Sequence, residues 1–504
     1  MFRWLIIAAL IAVGGALASV VLAWVYGLFA RRPDIRLTHA LPPQDGQGPL
    51  DDRVQAALAG RPGQTGLVLI AESREALAAR IVTARLAVRS LDLLYYTWRD
   101  DPTGRLLLAE ALAAADRGVR VRLLLDDVGV SNRDEVLQAL CLHPQVSVRL
   151  FNPARARPGG LRRGVEILLR IVSMTRRMHN KAWIVDGRVA IMGGRNIADS
   201  YFDASEQSNF HDLDLLAVGP VVDQAAELFD GFWNSGMAIP IRLLAGTLRD
   251  PGRLDALRKA SGRPPETGFT LDPARFHWCA DARLVADPPD KAAGRKGENW
   301  MMATLLPVLQ GARHRISITS PYFVPGANGT ARLVAIAGRG VDTRVLTNSL
   351  AATDVAAVHG GYARYRKALL KAGVALYELR PTARKRRMSF RGKSQASLHT
   401  KAFTLDGETG FVGSLNFDPR SASLNTEMGV LFRLPSLVAE MDRLFAEESS
   451  GDISYQPRLD DRGRLHWLDD DDGGPEIHRT EPQATPVRRL IAWAVGWLPI
   501  ESQL

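Results

Sequence analysis

One motif occurs twice in this chain, and that repetition constrains the fold more than any other feature. Residues 179–196 read His-Asn-Lys-Ala-Trp-Ile-Val-Asp-Gly-Arg-Val-Ala-Ile-Met-Gly-Gly-Arg-Asn, and residues 399–416 read His-Thr-Lys-Ala-Phe-Thr-Leu-Asp-Gly-Glu-Thr-Gly-Phe-Val-Gly-Ser-Leu-Asn. In each copy the histidine (His179, His399) is followed at matching places by lysine (Lys181, Lys401), aspartate (Asp186, Asp406) and asparagine (Asn196, Asn416). The flanking text keeps step, since Arg117-Gly118-Val119 returns as Arg339-Gly340-Val341 at nearly the same offset. A single match could be an ordinary histidine on a strand, but two in repeat register point to a duplicated domain. The 504 residues, 46% of them hydrophobic, suffice for two cores, because single cores stop growing near about 250–300 residues.

Local patterning predicts an α/β protein. Helical apolar spacing over 74–89 precedes the strand-like Ser90-Leu-Asp-Leu-Leu-Tyr-Tyr, and a helix over 106–115 ends at Asp116-Arg117-Gly118 before a strand from Val119 to Asp126-Asp127. In the second half a helix over 302–313, a strand from Arg315, a helix over 331–340 and a strand from Val341 repeat that order. Such alternation predicts a mainly parallel or mixed sheet flanked by helices in each half.

Within the motif, His and Lys two apart on a strand share one face of a sheet, so both can reach one ligand. Ala182-Trp-Ile-Val and Ala402-Phe-Thr-Leu read as buried strands. The Asp-Gly that follows each reads as a hairpin turn, after which the chain runs back and returns Asn196 and Asn416 toward the histidines.

With the duplication, these residues resemble the phospholipase D superfamily, whose hallmark is His-x-Lys-x4-Asp followed by Gly-Ser/Gly-x-Asn. The resemblance spans roughly Glu75 to Glu448. It implies two such domains meeting across a pseudo-twofold axis, with both motifs in one site that needs no metal or other cofactor. His179, Lys181, Asp186, His399, Lys401 and Asp406 form the expected catalytic set. Within it one histidine attacks phosphorus and the other moves the proton, while Asp186 and Asp406 read as fixing the turn. His179 is expected to be the nucleophile and His399 the acid/base, titrating in opposite senses. Asn196, Asn416, Gly194 and Ser414 are the expected substrate-binding positions, Gly194 having lost the hydroxyl that Ser414 keeps. The family also orients its histidines with carboxylates: Glu427 matches well, and Asp212 less well, being displaced by an insertion around Phe202 to Phe210.

Further text narrows the resemblance. Tyr95-Tyr96-Thr-Trp98-Arg99-Asp100, Pro321-Tyr322-Phe323-Val-Pro325, Thr347-Asn348-Ser349 with Thr353-Asp354, Gly361-Tyr362-Ala-Arg364-Tyr365-Arg366 and the ending Leu498-Pro-Ile-Glu-Ser-Gln-Leu look like bacterial cardiolipin synthases, nearest their C type. That implies transfer of a phosphatidyl group to phosphatidylglycerol, with phosphatidylethanolamine as a further candidate substrate and with phospholipase D hydrolysis as the alternative. Core packing is the reading for Tyr95 and Phe323, whereas Tyr96, Trp98 and Tyr322 are divided between core and site.

Charge and the chain ends set the surroundings. A net charge of +10 favours anionic partners, and two basic runs, Arg155 to Arg177 and Arg384 to Lys393, read either as solvated loops or as a cationic rim. A nuclease is the competing class, set aside because of the N-terminus and the lipid-synthase text; no nucleic acid is expected. Trp4 to Ala30 carries no charged side chain. That stretch exceeds the roughly 20 residues that a transmembrane helix needs and is longer than the apolar region of a cleaved signal. A bacterial inner-membrane location follows. Arg31, Arg32 and Arg36 against Arg3 and the amino terminus favour a cytoplasmic catalytic part, but the face, the donor lipid and any accessory protein stay open here. Cys141 and Cys279, far apart, indicate neither a disulfide framework nor zinc. The resulting division is an anchor at 1–32, a linker at 33–65, a first phospholipase D-like domain at 66–249, a connector at 250–297, a second at 298–450, and an extension at 451–504 with an apolar interfacial segment.

Overall fold

A computed structural model describes residues 14, 15, 17, 19–22, 24–27, 35–46, 48–130, 133–157, 160–245, 252–259, 269–295, 297, 300–381, 395–471, 474–498 and 501. The strands are β1 (Thr65–Ile70), β2 (Ser90–Tyr95), β3 (Arg120–Asp126), β4 (Val146–Phe151), β5 (Ala182–Val185), β6 (Val189–Gly193), β7 (Ser208–His211), β8 (Asp214–Val218), β9 (Ala238–Pro240) and β10 (His277–Cys279). They continue with β11 (Ala282–Ala286), β12 (Arg315–Thr319), β13 (Asp342–Asn348), β14 (Ala375–Leu379), β15 (Gln395–Leu398), β16 (Ala402–Leu405), β17 (Thr409–Gly413), β18 (Met428–Arg433), β19 (Ser454–Leu459), β20 (Leu465–Asp471) and β21 (Gly474–His478).

Among the described residues these form one sheet of order β10-β1-β8-β6-β5-β2-β3-β4-β9 and another of order β11-β18-β17-β16-β12-β13-β14-β19-β20-β21. The duplication is visible strand for strand: β1, β8, β6, β5, β2, β3 and β4 have β11, β18, β17, β16, β12, β13 and β14 as counterparts. In both sheets the β2/β12, β3/β13 and β4/β14 block is parallel and the remainder antiparallel. The parallel block follows from its helical crossovers. Asp101 caps the helix Pro102–Asp116 by accepting the Gly104 N–H at 2.8 Å, Pro102 opens it, and Gly118 at φ +96° ends it.

The stretches expected as connector and linker both carry ordered structure among the described residues. The expected connector 250–297 carries β10, which pairs with β1, and β11, the counterpart of β1 in the second sheet. These strands are too short and too polar at their ends to stand out from a proline-rich stretch. The expected linker 33–65 is strapped to the first domain. Arg149 and Arg122 donate to the carbonyls of Arg36 and Thr38, Trp233 Nε1 donates to Thr38 Oγ1 at 2.8 Å, and the helix Pro49–Leu58 buries Leu50 and Val54.

The sheets face each other across a shared core, in which Met192, Leu215 and Phe229 join Val412, Met428 and Val430. The contacts between halves are reciprocal: Met178 bridges Thr426, and β15 pairs in parallel with β7 so that Leu398 faces His211. A contact of this kind, made twice with the halves exchanged, is what a local twofold produces.

Of the expected membrane anchor at 1–32, residues 1–13, 16, 18, 23 and 28–32 lie outside the described residues. The described part of 14–27 is helical, with Leu17, Val20, Val21, Leu22 and Trp24 each more than half exposed. No helix among the described residues is long and apolar enough to cross a membrane. In the extension, the helix Pro486–Trp497 leaves Leu490, Trp493 and Trp497 exposed.

Each Asp-Gly turn has positive φ at both residues, +53° and +65° at Asp186-Gly187 and +53° and +70° at Asp406-Gly407. Asp and Gly are the residues that adopt this conformation at low cost. Asp186 accepts the N–H groups of Val88, Arg89 and Ser90 at 2.8–2.9 Å, and Asp406 accepts those of Arg313, His314 and Arg315. Both motif aspartates therefore bolt the hairpin to the start of the neighbouring strand, the turn-fixing part read for them in the sequence. Asp186→Ala should lower stability by roughly 2–4 kcal/mol, three charge-assisted bonds being lost. Urea unfolding checks this, and Asp186→Asn should recover part of the loss.

Candidate active site

The two motifs meet at the seam between the sheets, and each is completed by the other half. His179 Nδ1 lies 2.8 Å from Glu427 Oε2, and His399 Nδ1 lies 2.6 Å from Asp212 Oδ2. The backbone arranges this crossing: the His179 N–H donates to Thr426 O at 2.9 Å and the His399 N–H to His211 O at 2.7 Å. Each histidine is thereby set beside the residue following its partner. Asp212 is placed as well as Glu427, so the insertion containing β7 delivers this carboxylate rather than displacing it.

The Gly194/Ser414 difference has a steric cause. Ser414 Oγ donates to Glu427 Oε2 at 2.5 Å and accepts the Met428 N–H. At Gly194 the Asp212 carboxylate occupies that space, and a Cβ there would sit 2.2 Å from Asp212 Oδ1. Gly194→Ser should push Asp212 off His399 and lower kcat about 10–100-fold, the usual effect of losing an orienting partner. Unchanged Michaelis parameters in that variant would show that Asp212 does not position His399.

Asn348 Oδ1 and Nδ2 bond both backbone groups of Leu398, and Asp126 Oδ2 accepts the Met178 N–H at 3.0 Å. These residues end the equivalent strands β13 and β3 and fix the residue before each histidine. The sequence shows both positions at strand ends but gives no sign of what they hold. Asn196 bridges the Thr97 N–H and the Tyr201 hydroxyl, and Tyr201 Oη reaches toward His399 Nε2 at 3.4 Å. Asn416 Oδ1 is buried with no hydrogen-bond partner among the described residues.

The lysines crowd the same centre. Lys181 Nζ donates to His179 O at 2.5 Å, Lys401 Nζ donates to His399 O, and Lys401 Nζ lies 2.9 Å from His399 Nδ1. Burial brings Lys181 down to about 7 and Lys401 down to about 8. Burial also lowers both histidines, His399 well below its ordinary value because Lys401 and Lys181 add to it. Burial would raise Glu427, but His179 and Lys181 outweigh it and hold Glu427 below the ordinary carboxylate value. Burial raises Asp212 despite Lys401 and Arg195.

Burial makes both lysines hold their protons less tightly than in water, and the negative charge of a bound phosphodiester would raise their proton affinity again. An anion favours the protonated lysines. Its affinity should be full below about pH 7 and fall about tenfold per pH unit, per proton taken up, as the pH rises through the lysine values. Calorimetry with tungstate in two buffers of different ionisation enthalpy should show proton uptake at about pH 8.5. No uptake would mean the lysines do not face the anion.

Aromatic rings wall the site. Tyr96 stands edge-on to His179 at 5.1 Å with Lys181 Nζ 5.5 Å from its centroid, and Tyr201 and Phe210 each lie 5.0 Å from the His399 ring. Tyr322 donates to Asp354 at 2.8 Å. Trp98 stacks on Trp183 and donates to Gly104 O, so it is core, as are Tyr95 and Phe323. In the first basic run Arg157, Arg170 and Arg177 are tied to Asp127 and Asp134, Glu166, and Asp126. The second run, Arg384 to Lys393, lies outside the described residues.

Known proteins share this plan. The family model described as cardiolipin synthase, PLD-like domain matches residues 78–233 and 305–448, which takes in both motifs. Cardiolipin synthase C of Escherichia coli (strain K12) is 41% identical over 460 residues, covering 87% of this chain and 96% of that one. Cardiolipin synthase A of Edwardsiella ictaluri (strain 93-146) is 26% identical over 412 residues, covering 80% and 71%. The crystal structure of phosphatidylserine synthase from Haemophilus influenzae Rd KW20 aligns with a TM-score of 0.59 at 13% identity, covering 90% of this chain and 100% of that one, which shows a shared fold. A match running through both motif-bearing halves, with identity sustained over most of the chain, establishes kinship: this protein belongs to the phospholipase D-like cardiolipin synthase family.

Proposed function

We propose that the protein is a phosphatidyltransferase that makes cardiolipin from phosphatidylglycerol through a phosphohistidine intermediate. The observation that carries this reading is the pair of crossed histidine–carboxylate contacts, each engaging Nδ1 and so leaving Nε2 as the ring nitrogen for phosphorus. His179, its Nδ1 held by Glu427, attacks phosphorus of the donor lipid through Nε2. The phosphorus–oxygen bond to the leaving alcohol breaks, and His399 gives that oxygen its proton. His399 is depressed in the free site, so the bound phosphodiester's own charge is what lets it carry the proton. In the second half-reaction His399 takes the proton of a phosphatidylglycerol headgroup hydroxyl, whose oxygen attacks phosphorus and breaks the phosphorus–nitrogen bond. Lys181 and Lys401 neutralise the non-bridging oxygens, with Asn196 and Asn416 beside them.

The apolar 4–30 segment serves as the membrane anchor and places the protein at the bacterial inner membrane. Exposed Trp493 and Trp497 on Pro486–Trp497, with Arg488 and Arg489 nearby, suit an interfacial helix. The full-length protein in mixed micelles with phosphatidylglycerol, with and without phosphatidylethanolamine, should yield cardiolipin together with glycerol or ethanolamine by mass spectrometry. Phosphatidic acid as the sole product would make water the acceptor and the enzyme a hydrolase.

A further inference from the structure

Beside the histidine centre, the second domain contains an apolar cavity of about 390 Å³. Its walls are the helix Met301–Gln310, the helix Gly326–Ala337 and β12, which contribute Leu306, Leu309, Ile318, Leu333 and Ile336. Leu415, Asn416, Phe417 and Asp418 also line it, so it shares Asn416 with the second motif. The other lining group of note is Glu501, which accepts a hydrogen bond from Tyr365 at 2.6 Å. Glu501 follows closely on the helix that exposes Trp493 and Trp497. The cavity lining thus includes both a residue of the second motif, Asn416, and a residue just beyond the helix Pro486–Trp497, Glu501.

We propose that this cavity holds one acyl chain of the phospholipid whose phosphodiester lies between His179 and His399. The proposal rests on the lipid-transfer reading above and deepens it. Four observations argue for this occupant. The walls are aliphatic over most of their area, which suits a hydrocarbon. The buried carbonyl oxygen of Asn416 and the carboxyl of Asp418 mark the end where polar headgroup meets apolar chain. Burial raises Asp418 to about 7, in keeping with its place in a largely apolar lining. Gly326, at φ +65° with Glu501 3.1 Å from where its Cβ would be, leaves the wall near Glu501 without a side chain.

Two experiments on the full-length protein in micelles test the assignment. In the first, phosphatidylglycerol with a photoreactive group at the acyl terminus is cross-linked and the modified peptides are mapped. Label within 302–310 or 326–336 is expected; label confined to other segments, such as 486–497, would overturn the proposal. In the second, Leu306→Trp fills the cavity while touching none of the motif residues. It should lower kcat/KM for dipalmitoyl phosphatidylglycerol by about tenfold, as when roughly two methylenes lose their place in an apolar site. Dioctanoyl lipid should suffer less, and the chain-free diester bis(p-nitrophenyl) phosphate not at all. Equal losses on all three, or no loss on the dipalmitoyl lipid, would overturn the proposal. Cross-linking needs no turnover, so the two readings separate. Label in the cavity without cardiolipin formation sinks the transfer reading alone, and cardiolipin formation without such label sinks the acyl site alone.

Discussion

His179→Ala and His399→Ala should each, alone, reduce kcat by at least about 10⁴-fold, since each removes either the nucleophile or the proton carrier from a step that needs both. The halves do not carry separate sites that could compensate, because Glu427 of the second half serves His179 and Asp212 of the first serves His399. Assays of the two full-length variants, alone and mixed, check this. Half of the wild-type rate in either variant would mean two independent centres. The purified variants should keep the wild-type urea midpoint, because neither ring belongs to the apolar core shared by the sheets.

Lys181→Met and Lys401→Met should each cost about 10²–10³-fold in kcat, the usual effect of removing one charge-stabilising donor. They should also gain stability at neutral pH. Each lysine is held below its ordinary value by burial, at about 7 and about 8. Its unfolded form therefore binds the proton more tightly, and the native state is penalised below those values. The penalty lessens as pH rises above them. Tm of the methionine variants should exceed wild type most clearly below about pH 7 and converge with it at alkaline pH. A variant that loses activity and also loses Tm at every pH would show that the lysine supports the fold rather than the charge of the substrate.

Much of this is legible in the sequence because it is local and periodic. The hairpins of the motifs, the aspartate at each turn and the helix–strand alternation all follow from spacing within single short stretches of chain. The helix Ser73–Leu86 begins within a residue of where the apolar pattern places it. What the sequence hides is long-range. The crossing of Asp212 to His399 depends on β7 pairing with β15, two segments from opposite halves of the chain. Nothing near Phe210 announces it. The same holds for Gly194: its missing hydroxyl reads as a loss until Asp212 is seen in the space a side chain would fill. Tyr201 gives no local sign, because its role, linking Asn196 to His399, exists only once the insertion has folded over the second motif. The strands β10 and β11 are hidden in a proline-rich stretch, since such short segments, completing the edges of two sheets, carry little periodicity of their own.

The chemistry turns on covalent transfer through one histidine of a shared centre. Its most direct test is a rapid quench into denaturant with a phosphatidyl donor labelled on phosphorus, followed by mapping of the modified peptide. The label is expected on His179, present in wild type and absent from His179→Ala, and it should disappear when excess phosphatidylglycerol is added before the quench. Label on no histidine under conditions where cardiolipin is being formed would contradict the mechanism, because phosphorus would then pass from donor to acceptor without ever being held by the protein.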